Sequence, residues 1–357
     1  MFNPLKPYNA LPHLPPKYDF DTVPILKAVN AANIALADLN ARASKLPNPW
    51  LLMRPLLVRE SVASSGIENI NTTVLRVFEA DILPERRKGA TKQVLSYREA
   101  MLRGCEFVEK KGFLSTNHMI ALQREIEPSK GGIRRIPGTV IMNGATKEVL
   151  YTPPEGERLL RDLLANLEQY LNKHGDNTDQ LIKMAVVHYQ FEAIHPFLDG
   201  NGRVGRIIMI LYLLLTKRLQ LPVLFLSGYI EEHKSEYYRL LRNVTKTGDF
   251  GSFVLYMLKA VELQAAATAE NVRKIEELIE KSEKKIKEKL PHAHDIVLCI
   301  FSEPLLTINR LQKALKLSAR QTASKYLSII VDAGILEERK LGKHKIFFSK
   351  AFLRLLS

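Results

Sequence analysis

Residues 195–206 read His-Pro-Phe-Leu-Asp-Gly-Asn-Gly-Arg-Val-Gly-Arg. Upstream, Thr178 to Ala193 sets Leu181, Met184, Ala185, His188 and Phe191 on one stripe, the period of a buried helix. Downstream, a second helix starts near Gly202 and runs through the apolar stretch Ile207 to Leu215. The turn between them holds one His, one Asp and two Arg among glycines. Glycine lets backbone approach a ligand closely, and the first N–H groups of a helix point at an anion. Arg203 and Arg206 are three apart, so both leave the first turn on neighbouring faces and can fork onto phosphate oxygens. Asp199 is the hard oxygen ligand that a Mg²⁺-nucleotide requires, and His195 is a base near neutral pH. The stretch predicts a phosphate cradle with a base and a metal ligand beside it.

Rival readings fail on detail. A calcium loop starting at Asp199 would need Gly sixth and Glu twelfth, where this chain has Val204 and Ile210. A zinc site lacks a third nitrogen or sulfur ligand near His188 and His195. No GxxxxGK[ST] or GxGxxG occurs, which removes the anchors of the P-loop and Rossmann readings.

Working outward, six prolines between Pro4 and Pro24 predict an extended arm. Pro24 to about Leu46 reads as a helix stopped by Pro47 and Pro49, and a second helix is expected from Pro55, fading near Ser64-Ser65-Gly66 with Glu68 at or just past its end. Leu95–Glu109, Asn117–Glu125 and Glu157–Leu171 read as further helices. Between them, Thr139–Met142, Asn143-Gly144 and Glu148–Tyr151 predict a β-hairpin, ended by Pro153-Pro154. Leu263 to Leu290 reads as a long amphipathic connecting helix. Residues 292–357 read as helices at 294–302, 307–315 and 318–333, with Ser318 as N-cap and Gly334 as C′, then a hairpin turning at Gly342; that order describes a winged helix.

Composition sets the limits. The 357 residues are 46% hydrophobic and 25% charged, which excludes disordered, collagenous and coiled-coil chains. A net charge of +14 favours anionic partners. Cys105 and Cys299 are far apart, so no disulfide framework is expected. No apolar run is long enough for a bilayer and no secretory signal is visible, so a soluble, cytoplasmic protein without membrane contact is expected.

The stretch 195–206 matches the Fic family signature HPFxxGNGRxxR at every specified position, and the chain resembles that family over roughly residues 1–260. The hairpin near 133–151 is similar to the Fic flap, and Leu226-Ser227-Gly228-Tyr229-Ile230 followed by Tyr237-Tyr238 to the region after the motif. The resemblance implies a mostly α chain: a Fic-type helical bundle with a small β-hairpin flap, plus a C-terminal winged-helix (α+β) domain. Its divisions would be an N-terminal arm and inhibitory-helix region (1–100), a catalytic domain (101–262), a connecting helix (263–290) and the winged helix (291–357).

It implies a protein adenylyltransferase that moves AMP from ATP to a Tyr, Thr or Ser hydroxyl of a target. His195 would take the hydroxyl proton and Asp199 would hold Mg²⁺. Gly200, Asn201 and Gly202 would form the anion hole, and Arg203 and Arg206 would grip the β- and γ-phosphates, within a nucleotide-binding run that includes Val204 and Gly205. Phe197 would pin the loop, and Tyr238 would line the adenine side, unless Tyr237 and Tyr238 are simply one core and one surface residue. The target's extended segment would pair with the edge of flap residues 133–142. Ser64-Ser65-Gly66-Ile67-Glu68-Asn69 matches the (S/T)xxxE(G/N) pattern of Fic inhibitory helices, which implies that Glu68, after Ser64, occupies Arg206 in place of the γ-phosphate. Removal of AMP ranks below its addition.

The winged helix carries 11 Lys and Arg against 5 acids, with Lys316, Arg320 and Lys325 around its third helix and Lys343, His344 and Lys345 on the wing. That suits either a DNA backbone or a docking protein. An ATP-sensing DNA-binding regulator stands as the alternative function, and a homodimer is left open.

Overall fold

The computed structural model describes residues 2–356 except 47, 145, 174 and 176, and for 49–52 the main chain only. The N-terminal part holds α1 (Val23–Ala43), α2 (Pro49–Ile67), α3 (Val74–Ile82), α4 (Gly89–Lys111) and α5 (Thr116–Ile126). Local chemistry fixes their ends. Thr73 accepts from the Arg76 N–H at the start of α3, Ser115 caps α5 through the His118 N–H, and α4 stops at Gly112, whose φ of +69° suits a residue without Cβ.

A small antiparallel pair follows, β1 (Ile141–Met142) and β2 (Val149–Tyr151). Then come α6 (Glu157–Asn172), α7 (Gln180–Ile194), α8 (Asn201–Leu215), α9 (Leu226–Glu232) and α10 (Lys234–Thr247). α7 and α8 form the central hairpin of the bundle and are apolar on nearly every face. Tertiary burial, not amphipathicity, therefore holds them. α4, α5 and α6 pack around this pair.

The helix α11 (Phe250–Ile286), capped by the Asp249 carboxylate on the Ser252 N–H, lies along α1 and also touches α7, α9 and α10. The chain closes with α12 (Ala293–Ser302), α13 (Ile308–Ala314), α14 (Arg320–Asp332), the antiparallel pair β3 (Glu337–Leu341) and β4 (His344–Phe348), and α15 (Lys350–Leu356). This unit is bolted to the N-terminal part. Arg339 of β3 reaches Glu79 of α3 at 2.6 Å, and Arg310 donates to the Asp81 carbonyl at 2.6 Å. α2 packs against α4, α8 and α9 and also against α12 and α15.

Several expectations need correction. Pro55 sits inside α2, which starts six residues earlier at Pro49, itself suited to a first turn that needs no proline N–H. The expected stop at Pro47 lies outside the described residues. The boundary drawn at 262/263 falls within α11, because Asp249 starts that helix well upstream. The N-cap of α14 is Ala319 rather than Ser318, and it makes no side-chain cap bond. The flap loop is longer than an Asn-Gly turn, with Asn143 Oδ1 accepting from the Thr146 N–H. α3, α9 and α15 were not anticipated. Lys345, read as a wing cation, is engaged with Glu338, and Arg339 of β3 with Glu79.

Candidate active site

His195 sits just past α7 with φ +48°, in the left-handed region. Arg134, which is almost fully buried, holds it there. Its Nε donates to the His195 carbonyl at 2.8 Å, its backbone N–H to the Pro196 carbonyl, and its Nη2 to the Pro154 carbonyl. One guanidinium therefore ties the segment after β2 to the His195 backbone. Phe197 is fully buried beside Phe191. Asn201 staples the loop: its Oδ1 accepts from the Phe197 N–H (2.9 Å) and its Nδ2 donates to the Phe197 carbonyl (2.8 Å). Its amide is thus committed to the loop, leaving only its backbone N–H for an anion.

Two connected cavities flank this turn. A polar one of about 360 Å³ is lined by Gln93, Glu127, Asp199, Gly200, Asn201 and Arg203. A more apolar one of about 310 Å³ lies between β1–β2 and α10, lined by Ile141, Leu150, Glu192, Tyr238 and Leu241. Glu68, His195 and Gly202 border both.

Glu68 stands across the junction. Its Oε1 is 2.9 Å from Arg206 Nη2, and a Cβ on Gly202 would overlap that oxygen. Arg206, 1% exposed, also donates Nε to Ser64 Oγ (2.8 Å) and Nη2 to the Ser64 carbonyl (2.9 Å). α2 is held in place by Glu60, which accepts from Ser227 of α9 through its N–H and hydroxyl and from Tyr97 of α4 at 3.2 Å. Burial pushes the Glu60 carboxyl up to about 7, against the pull of the Ser227 hydrogen bonds.

Arg203 is buried, gives Nη2 to Glu127 at 2.8 Å, and leaves Nε and Nη1 without a partner among the described residues. Buried unpaired donors are costly, so these are free for an anion. Asp199 is partly exposed and pairs with Lys130 at 2.6 Å. Among the described residues no group of three His, Cys, Asp or Glu side chains could hold a metal. The donor set still fits Mg²⁺, which commonly takes one carboxylate and completes its shell with phosphate and water oxygens. Burial, and next the positive Arg134, hold the His195 imidazole down at about 4, so it is neutral at pH 7.

Val204 and Gly205 are not among the residues that line either cavity. Val204 is core, and Gly205 lies under Glu192 of α7, whose oxygen would overlap a Cβ there. Tyr238 borders the apolar cavity and Tyr237 is core, bonded to His188 Nε2 at 2.7 Å. Sequence reading missed Gln123, which ties the Asp199 and Lys130 carbonyls and the Gly132 N–H together, as well as Arg134, Glu127, Lys130 and Glu192. None of these carries a cue in its own neighbourhood.

Three family models match in chain order: "Fic/DOC family N-terminal" over residues 26–106, "Fic/DOC family" over 113–213, and "Protein adenylyltransferase SoFic-like, C-terminal domain" over 278–352. The chain belongs to the Fic/DOC family. A solved Fic family protein from Desulfovibrio desulfuricans G20 shares the fold, with a TM-score of 0.60 over 94% of this chain and 98% of that one at 24% identity. Fic-1 from C. elegans aligns over 70% of this chain and 72% of its own, with a TM-score of 0.52 and 18% identity. Among curated relatives, protein adenylyltransferase fic-1 of Caenorhabditis briggsae is 34% identical over 113 residues, 31% of this chain and 21% of the relative. Protein adenylyltransferase Fic of Drosophila virilis is 30% identical over 132 residues, 36% of this chain and 26% of the relative. The chain thus spans about a quarter of the length of these Fic relatives. No helix among the described residues is long and apolar enough to cross a membrane.

Proposed function

We propose that the protein is an adenylyltransferase, moving AMP from ATP to a hydroxyl side chain of a target protein, and that Glu68 holds it in a resting state. The observation that carries this reading is the Glu68 carboxylate on the buried Arg206, across the first turn of α8 and beside a neutral His195. A carboxylate on that guanidinium stands where a terminal phosphate would.

With Glu68 withdrawn, the polar cavity receives the phosphates on Arg203, Arg206 and the N–H groups of Asn201 and Gly202. The base and sugar enter the apolar cavity beside Tyr238. The target hydroxyl gives its proton to His195, its oxygen bonds to the α-phosphorus, and the bond to the departing pyrophosphate breaks. Asp199, released from Lys130, would hold Mg²⁺, which neutralises phosphate charge when bound. Positioning and charge stabilisation do most of the work. The strand edges of the flap, with Val140 and Met142 exposed, would orient the target's extended segment. The C-terminal unit would serve as a docking module.

Isotope placement tests the reaction. With ATP labelled on the α-phosphate, proteins of a lysate incubated with the Glu68→Gly form should retain label; with γ-label they should retain none. Retention of the γ-label alone would mean phosphoryl transfer and contradict the reading.

A further inference from the structure

Glu192 is the one carboxylate bordering the apolar cavity that the reaction above does not use. It lies in the last turn of α7, four residues after His188 on the same face and three before His195, which sits just past the helix. Its Oε1 has almost no solvent contact and no hydrogen-bond partner among the described residues. The carboxyl is pressed against Gly205 of α8, where any larger residue would collide with it. Arg206, the nearby cation, is taken by Glu68 and Ser64. The other groups near it are Glu68 beyond α2, Tyr237 and Tyr238 of α10, His188 on its own helix and His195 just past that helix. None neutralises it. Burial pushes the carboxyl up to about 8, so it is neutral at pH 7 and carries both a donor and an acceptor.

A buried polar group without a partner costs stability, and a ligand that supplies the partner recovers that cost. What the ligand brings is decided by place. Arg203 and the start of α8 border the polar cavity, which Glu192 does not; Ile141, Leu150, Leu241, Tyr238 and Arg242 line the apolar one. Glu192 stands between, next to His195 and Gly202, where the sugar that joins base to α-phosphate must pass. A sugar hydroxyl donates and accepts at once, as a neutral carboxyl requires.

The geometry points to Glu192 as the residue that hydrogen-bonds a ribose hydroxyl of the nucleotide and so selects ribonucleotides over deoxyribonucleotides. This assignment rests on the nucleotide reading of the site. It gives the α7 stripe a role beyond core packing, and it accounts for Gly205 as the residue that leaves room for the carboxyl.

Calorimetric binding of ATP, 2′-deoxy-ATP and 3′-deoxy-ATP to the full chain carrying Glu68→Gly tests it. One deoxy analogue should bind about tenfold more weakly than ATP, the worth of one hydrogen bond to a buried group. Adding Glu192→Ala should weaken ATP about tenfold and abolish the discrimination. Adding Glu192→Gln, a neutral isostere, should keep both the affinity and the discrimination at pH 7, and it guards against a folding defect in the alanine form. Equal binding of all three nucleotides to the Glu68→Gly form, or discrimination unchanged by Glu192→Ala, would overturn the assignment while leaving the nucleotide site intact. Failure of ATP itself to bind the Glu68→Gly form would overturn the nucleotide reading as well.

Discussion

Replacing Glu68 with glycine should raise ATP- and Mg²⁺-dependent self-modification about a hundredfold, read by intact mass as the gain of one AMP. The argument is electrostatic. Arg206 is sealed from water and its Nη2 faces Glu68 at 2.9 Å, while the Glu68 carboxylate is about one third exposed. Removing one partner of a buried pair usually costs a few kcal/mol; because one end here is wet, we take about 2.7 kcal/mol, or two decades. On the proposed reading that energy would oppose the nucleotide, whose phosphate would have to take the guanidinium from Glu68. With glycine there, Ser64 still orients Arg206 through its hydroxyl and carbonyl, so the arginine stays aimed while its charge is free. A Glu68→Gly form no more active than the parent would remove the inhibitory role.

His195→Ala, added to Glu68→Gly, should lower AMP transfer a thousandfold or more while changing the ATP dissociation constant less than about threefold. The imidazole is the neutral base nearest the junction of the two cavities, and its backbone is fixed by Arg134 rather than by its own side chain. Truncation should therefore remove the proton acceptor and leave the cradle standing. The same group should set the acid limb of kcat/KM. Its proton affinity in the folded protein lies below that of an ordinary imidazole, near 4 instead of 6.5, so the base stays competent as pH falls through 6 and is lost only near 4. Undiminished transfer by the alanine form would move the base elsewhere.

The turn 195–206 was legible as a glycine-rich helix start between two buried helices because that information is local. The buried pair α7–α8 was legible for the same reason, through apolar runs of helical length. What escaped was set by partners far apart in sequence. Arg134 meets His195 across 61 residues, and Arg339 meets Glu79 across 260; neither leaves a pattern in its own neighbourhood. The start of α2 was misread because two prolines each suit a first turn, and packing chose the earlier one. Asn201 shows the finer limit. It was placed in an anion hole, and its side chain closes the loop onto Phe197, which leaves only its backbone N–H for that role. Glu192 went unremarked because a carboxylate on a core stripe offers no cue until the cavity beside it is seen.

The most direct test is a crystal structure of the Glu68→Gly protein with ATP and Mg²⁺. The account requires the terminal phosphate on Arg206, the α-phosphate at the first turn of α8, and the His195 ring within reach of a hydroxyl in line with the departing pyrophosphate. A nucleotide bound outside these two cavities, or an α-phosphate turned away from His195, would contradict it.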